Sequence, residues 1–190
     1  NLGLKPIPIW HYAVVIGYDL SAREIILHSG ETAHYRVSMA LFERTWRRGD
    51  FWGLVLLKPG ELPVRENPQT YFLAAATLEE THPNADLLAI WRTGAESWPA
   101  FPPLAMGLAN YLYGLGSRDE ARQAYQAIIQ QHPTYLPAYN NLAALLTELG
   151  RYGEAIAVAR QGLAAGGTNS VLEETLATAM AGERGSSNQR

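Results

Sequence analysis

No cysteine occurs in the 190 residues of this chain. A disulfide framework, a thiolate-ligated metal and a thiol nucleophile from the chain itself are thereby excluded. Long apolar runs are also missing. The longest, near 51–57, falls far short of the about 20 residues a helix needs to cross a bilayer. Positive charge is not in excess. The formal net charge is −3; residues 1–63 carry seven Lys/Arg against six Asp/Glu, and residues 64–190 eight against twelve. A phosphate-binding surface needs a clear basic surplus, so nucleic acid is not expected as a partner. No glycine-rich phosphate loop is present. The histidines (His11, His28, His34, His82, His132) lack a spacing that would bring three onto one face, so neither a metal nor a cofactor is expected. The sequence opens on Asn1 with no initiator Met, signal peptide or transit peptide. It therefore reads as the C-terminal part of a longer protein whose targeting information lies upstream.

What is present is an ordinary folding composition, 47% hydrophobic and 17% charged, with room for one large or two small domains. Two segments differ in period. The run His11-Tyr12-Ala13-Val14-Val15-Ile16-Gly17-Tyr18-Asp19 is rich in β-branched and aromatic residues and enters a turn at 19–22. A second short apolar run at 24–28 stops at Ser29-Gly30, so the two read as a hairpin. A third strand is expected over 32–37, then a short helix capped by Ser38 and carrying Leu41, Phe42 and Trp46. The nearly continuous apolar run 51–57 predicts a fourth, central strand, ended by Pro59-Gly60 and followed by a linker at 62–68.

From about residue 69 the period becomes helical. Laid on itself at an offset of 34, the chain aligns Trp91, Tyr125 and Ala159; Leu78, Leu112 and Leu146; and Pro99, Pro133 and Gly167. Gly116 matches Gly150, and Ala121 matches Ala155. The implied units are 68–101, 102–135 and 136–169, with a closing helix at about 170–182 and a disordered tail at 183–190. This spacing resembles the tetratricopeptide repeat, in which two helices that cannot bury their apolar faces alone stack on their neighbours. The expected fold class is α+β: a small antiparallel sheet within 1–63, then an all-α superhelix over 68–182.

In such a stack the first helix of each unit lines the concave face. That places Phe72, Ala76, Glu79, Met106, Asn110, Tyr113, Asn140, Ala144 and Thr147 in a mostly neutral groove. The amides can satisfy the backbone of an extended peptide, and Phe72 and Tyr113 offer apolar area to its side chains. The expected partner is a protein or extended peptide. The Lys/Arg/Asn clamp with which some repeat proteins of this kind grip a C-terminal carboxylate is missing. The alternative is a groove filled by the N-terminal domain itself.

The segment from His11 to Asp19, the strand ending His28-Ser29-Gly30, the stretch Phe42-Glu43-Arg44-Thr45-Trp46 and the run 51–57 together resemble the second half of bacteriocin-processing, papain-like cysteine peptidases. The likeness covers about residues 8–62 and is nearest to the subgroup that carries tetratricopeptide repeats. It implies that His11 is the general base for a cysteine thiol, with its imidazole oriented by a group at His28 or Ser29, where the family normally has Asp or Asn. It further implies a missing N-terminal peptidase half as a partner, and a bacterial cell-envelope setting, with a cytoplasmic one left open. Three accounts follow: a peptidase fragment with recruiting repeats, a non-catalytic interaction scaffold with a degenerate peptidase-like domain, and a structural solenoid with an unrelated β cap.

Overall fold

A computed structural model describes residues 11–64, 67–83 and 85–187. The chain divides into two compact units, Asn1–Leu56 and Leu57–Arg190. Residues 1–10, residues 65–66 of the expected linker and residues 188–190 of the expected tail lie outside the described residues.

The first unit is an antiparallel sheet of strands β1 (Ala13–Asp19), β2 (Glu24–Ser29) and β3 (Thr32–Ser38) in that spatial order, followed by helix α1 (Met39–Arg47). The β1–β2 turn is closed by Asp19, whose carboxylate accepts from the Ser21 hydroxyl at 2.7 Å and the Ala22 N–H at 3.0 Å. These bonds, the Ala22 N–H foremost, hold the Asp19 carboxyl below the usual carboxylate range. The register shifts once in each strand pair, between Val15 and Gly17 and between Leu27 and Ser29. Ser38 caps α1 by accepting from the Leu41 N–H at 3.3 Å.

The run 51–57 is not a strand. Phe51 follows Asp50 in the left-handed region, at φ +56° and +52° respectively, and the Trp46 indole N–H donates to the Trp52 carbonyl at 2.6 Å. Both features tie the start of the run back to α1. A strand makes none of its hydrogen bonds within itself, so an apolar run becomes one only where a neighbouring edge receives it. Leu27 is the one buried side chain among the described residues of this unit.

The second unit is helical: α2 (Pro68–Thr81), α3 (Leu88–Ser97), α4 (Pro102–Gly114), α5 (Arg118–Gln131), α6 (Leu136–Glu148), α7 (Tyr152–Gly166) and α8 (Ser170–Ser187). Helices α2, α4 and α6 each carry proline in the first turn, where its missing N–H costs nothing. Gly116 and Gly150 stand at φ +79° and +72° in the α4–α5 and α6–α7 turns, a conformation that a Cβ disfavours. Consecutive helices pack on one another; α2 also meets α4, and α6 meets α8. The positions aligned at the 34-residue offset, Trp91, Tyr125 and Ala159, are all buried between them. Upstream of α2, the Thr93 hydroxyl of α3 donates to the Gly60 carbonyl at 3.4 Å, so this stretch packs with the helices. At the far end α8 runs to Ser187, so residues 183–187 are helix and not disordered tail. Arg184 sits in the last turn, where a cation is favourable, and the Ser186 and Ser187 hydroxyls bond back to the Glu183 carbonyl at 2.9 and 3.0 Å.

No helix among the described residues is long and apolar enough to cross a membrane. No group of three His, Asp or Glu among them is placed to hold a metal ion.

Candidate functional site

Helical spacing puts Phe72, Ala76 and Glu79 on one face of α2, and Met106 and Asn110 on one face of α4. The structure brings these five residues together around an open groove of about 250 Å³. Trp91 of α3 forms its floor at 2% exposure, with Pro103 and Gly107 of α4 and Tyr135 before α6 completing the lining. The Phe72 ring meets the Trp91 ring edge-on at 5.8 Å and the Phe101 ring at 6.4 Å. Gly107 is required here, because a Cβ at that position would run into the six-membered ring of Trp91.

Two polar side chains hold the groove in shape. The Trp91 indole N–H donates to Glu79 Oε2 at 2.8 Å, fixing the carboxylate at the rim. Asn110 Oδ1 accepts from the Tyr125 hydroxyl at 2.8 Å and from Asn141 Nδ2 at 2.9 Å, joining α4 to α5 and α6. Burial raises the Tyr125 phenol above its ordinary value, which keeps it the donor. The amide carbonyls are thus consumed by the fold, contrary to the expectation that both amides face a peptide. Asn140 Oδ1 likewise accepts from Thr175 at 2.7 Å, and its Nδ2 donates to Asn141 at 3.2 Å. Among the described residues, the Asn110 amide N–H₂ has no acceptor and stays available as a donor.

Other residues expected in the groove do not border this hollow. Asn140, Ala144 and Thr147 of α6 do not line it; the Thr147 hydroxyl is spent on the Ala143 carbonyl at 2.8 Å. Tyr113 points to the other end of α6, donating to Glu148 Oε2 at 2.7 Å beside Arg118, which itself pairs with Glu148 at 2.6 Å. The Tyr113 hydrogen bond first, and then Arg118, hold the Glu148 carboxyl below its ordinary value. That cluster clasps neighbouring helix pairs and engages the Tyr113 hydroxyl, while the ring remains 40% exposed.

Trp91, Pro103, Gly107 and Tyr135 were not singled out by sequence reasoning as groove residues. Trp91 had a signal, since its 34-residue counterparts Tyr125 and Ala159 mark it as packed against its neighbours. Its indole, like the Tyr125 phenol, carries a polar hydrogen that needs a partner when buried.

In the first unit, His11 Nε2 lies 2.8 Å from Ser29 Oγ, in a solvent-exposed contact. His28 is exposed, with its ring 5.1 Å from that of His34.

Residues 112–178 match the family model for the tetratricopeptide repeat. Among solved structures, the Sgt2 TPR domain from Aspergillus fumigatus superposes with a TM-score of 0.57 at 15% identity, over 68% of this chain and 85% of that one. The helical unit has a tetratricopeptide-type fold. A MamA fragment from Desulfovibrio magneticus RS-1 gives a TM-score of 0.53 at 16% identity, covering 64% of this chain and 68% of its own. The first TPR domain of Spaghetti (RPAP3), bound to an HSP90 peptide, gives 0.52 at 15% identity over 63% of this chain and 97% of that one. No curated protein sequence matches the chain at a significant level. The family match begins within α4, so every groove-lining residue except Tyr135 lies before it.

Proposed function

We propose that the helical unit is a peptide- or protein-binding module, and that its partner enters the groove between α2 and α4. The observation that carries this reading is the groove itself: the half-buried rings of Phe72 and Tyr135 beside one unused amide donor and one fixed carboxylate. That is the mixture an extended segment needs, apolar surface for a side chain and a donor for a backbone carbonyl. Repeats of this fold are proposed here to run as 68–101, 102–135 and 136–169. The RPAP3 domain, which holds a peptide, supports the reading by fold only. Filling the groove provides the test. Ala76 is half-buried on its wall, so Ala76→Phe should lower affinity for peptides selected from a random library at least tenfold while the helical circular dichroism is retained. Unaltered affinity in that variant would move the binding surface elsewhere.

A second reading concerns the first unit: that it is the histidine-bearing half of a papain-like cysteine peptidase domain. The His11–Ser29 contact supports it, since a hydroxyl at 2.8 Å can accept from imidazole and orient the ring. A hydroxyl stabilises imidazolium less than a carboxylate does, which fits a weak peptidase or a scaffold that has lost catalysis. With no cysteine in the chain, the thiolate would come from a segment outside it. A thiol-directed peptide probe that labels the parent protein, and labels its His11→Ala variant equally well, would remove His11 from any such chemistry.

A further inference from the structure

The charge on the helical unit is sorted by helix. Helices α2, α4 and α6 contain no Lys, Arg or His, and their charged residues are Glu79, Glu80 and Glu148. Among the described residues of this unit, the arginines lie on α3, α5 and α8, at the start of α7 and within it, and Lys58 stands upstream of α2. Of the three carboxylates, Glu148 is neutralised by Arg118. Glu79 makes no ion pair among the described residues; one oxygen accepts from the Trp91 indole and the other has no partner there.

Glu79 also belongs to a second, wider depression of about 870 Å³ that opens beside the groove. Glu80 and Asp86 join it there, with Tyr111 and Leu115, and among the described residues neither hollow is lined by a Lys, Arg or His. An apolar pocket floored by Trp91 therefore adjoins an acidic hollow, and Glu79 is common to both. Facing carboxylates without cations repel an acidic segment and attract a cationic one, and desolvation by the flanking aromatic rings strengthens the preference.

The geometry points to the class of partner: an extended segment that seats an apolar side chain against Phe72 and Ala76, above the buried Trp91, and places a Lys or Arg beside it, against Glu79 and the acidic hollow. This deepens the groove reading given above and rests on it. An acidic C-terminal tail is disfavoured by the same charges.

Three capped peptides test it, identical except that Phe at the centre is followed by Lys, Gln or Glu, with affinities measured by fluorescence polarisation on the whole chain. The Lys peptide should bind about five- to tenfold more tightly than the Gln peptide, and the Glu peptide more weakly than both, the spread shrinking at high salt. Glu79→Gln keeps an acceptor for the Trp91 indole and should bring the Lys and Gln peptides within about twofold of each other. Glu80→Gln, at an exposed position, should reduce the preference by less and guards against a folding defect in the first variant. Equal or tighter binding of the Glu peptide, or a Lys preference that survives both substitutions, overturns the charge assignment while the groove stands. Binding of all three peptides that Ala76→Phe fails to weaken, or binding of none, overturns the groove reading itself and this inference with it.

Discussion

In the helical unit Tyr125 and Tyr139 are 2% and 1% exposed, while Tyr12 and Tyr18 of the sheet unit, chemically identical, are 72% and 66% exposed. The difference lies in the layers each unit has to offer. Every helix from α3 to α7 packs against the helix before it and the helix after it, so apolar stripes close over one another. The sheet has three strands and one nine-residue helix, and a single covered face gives a hydrophobic cluster rather than a core. Strand β1 lies at the edge of that sheet with neither proline nor lysine along it, and Val14 and Val15 are largely in solvent. Apolar composition alone therefore does not produce burial; a second layer does.

Truncation is the sharpest way to press the contrast. Leu145→Ala, at a fully packed position, should cost about 2–5 kcal/mol in chemical denaturation followed by circular dichroism. Val14→Ala, at 63% exposure, should stay within about 0.5 kcal/mol. Similar costs at the two sites would mean that the sheet unit is buried in solution and that the comparison fails. A smaller effect is expected at the groove floor. Gly107→Ala forces a methyl group toward the Trp91 ring and should destabilise by about 1–3 kcal/mol, with a change in tryptophan fluorescence that marks the displaced indole. An unshifted spectrum would show that the floor is looser than described.

The smallest effect is electrostatic. Glu148 has a folded pKa below its unfolded value, so its contribution to stability is complete above the unfolded pKa and is lost as pH falls through the folded one. Glu148→Gln should accordingly lower stability by a constant amount at neutral and alkaline pH, the difference from the parent vanishing as pH falls through the folded pKa. Because Glu148 is solvent-exposed, salt should blunt the difference. A profile identical to that of the parent would place the Tyr113–Glu148–Arg118 cluster outside the stability of the fold.

Much of the helical unit could be read from residues because a repeat sets the same physical problem at each pass. Trp91, Tyr125 and Ala159 fall every 34 positions at one kind of site between helices, and Gly116 and Gly150 fall at one kind of turn. Residues that share a single helix face, such as Met106 and Asn110, are likewise written in local spacing. What could not be read was contact between faces. Gly107 becomes part of a pocket only because Trp91 of another helix lies over it, and Asn110 loses its carbonyl only because Tyr125 and Asn141 arrive from two others. The run 51–57 failed as a strand for a related reason: pairing is non-local, and Trp46 and the left-handed backbone at Phe51 redirect the chain before an edge is reached.

The central claim is that the face between α2 and α4 receives the partner, and the indole of Trp91 reports on it directly. In an NMR titration of the whole chain with the Phe-Lys peptide, the Trp91 Nε1–H resonance and the amides of Phe72, Ala76, Glu79 and Asn110 should shift together and saturate at one stoichiometry, while α5, α7 and the sheet unit stay unperturbed. Shifts confined to the outer helices or to β1, with the Trp91 signal unmoved, would contradict the account.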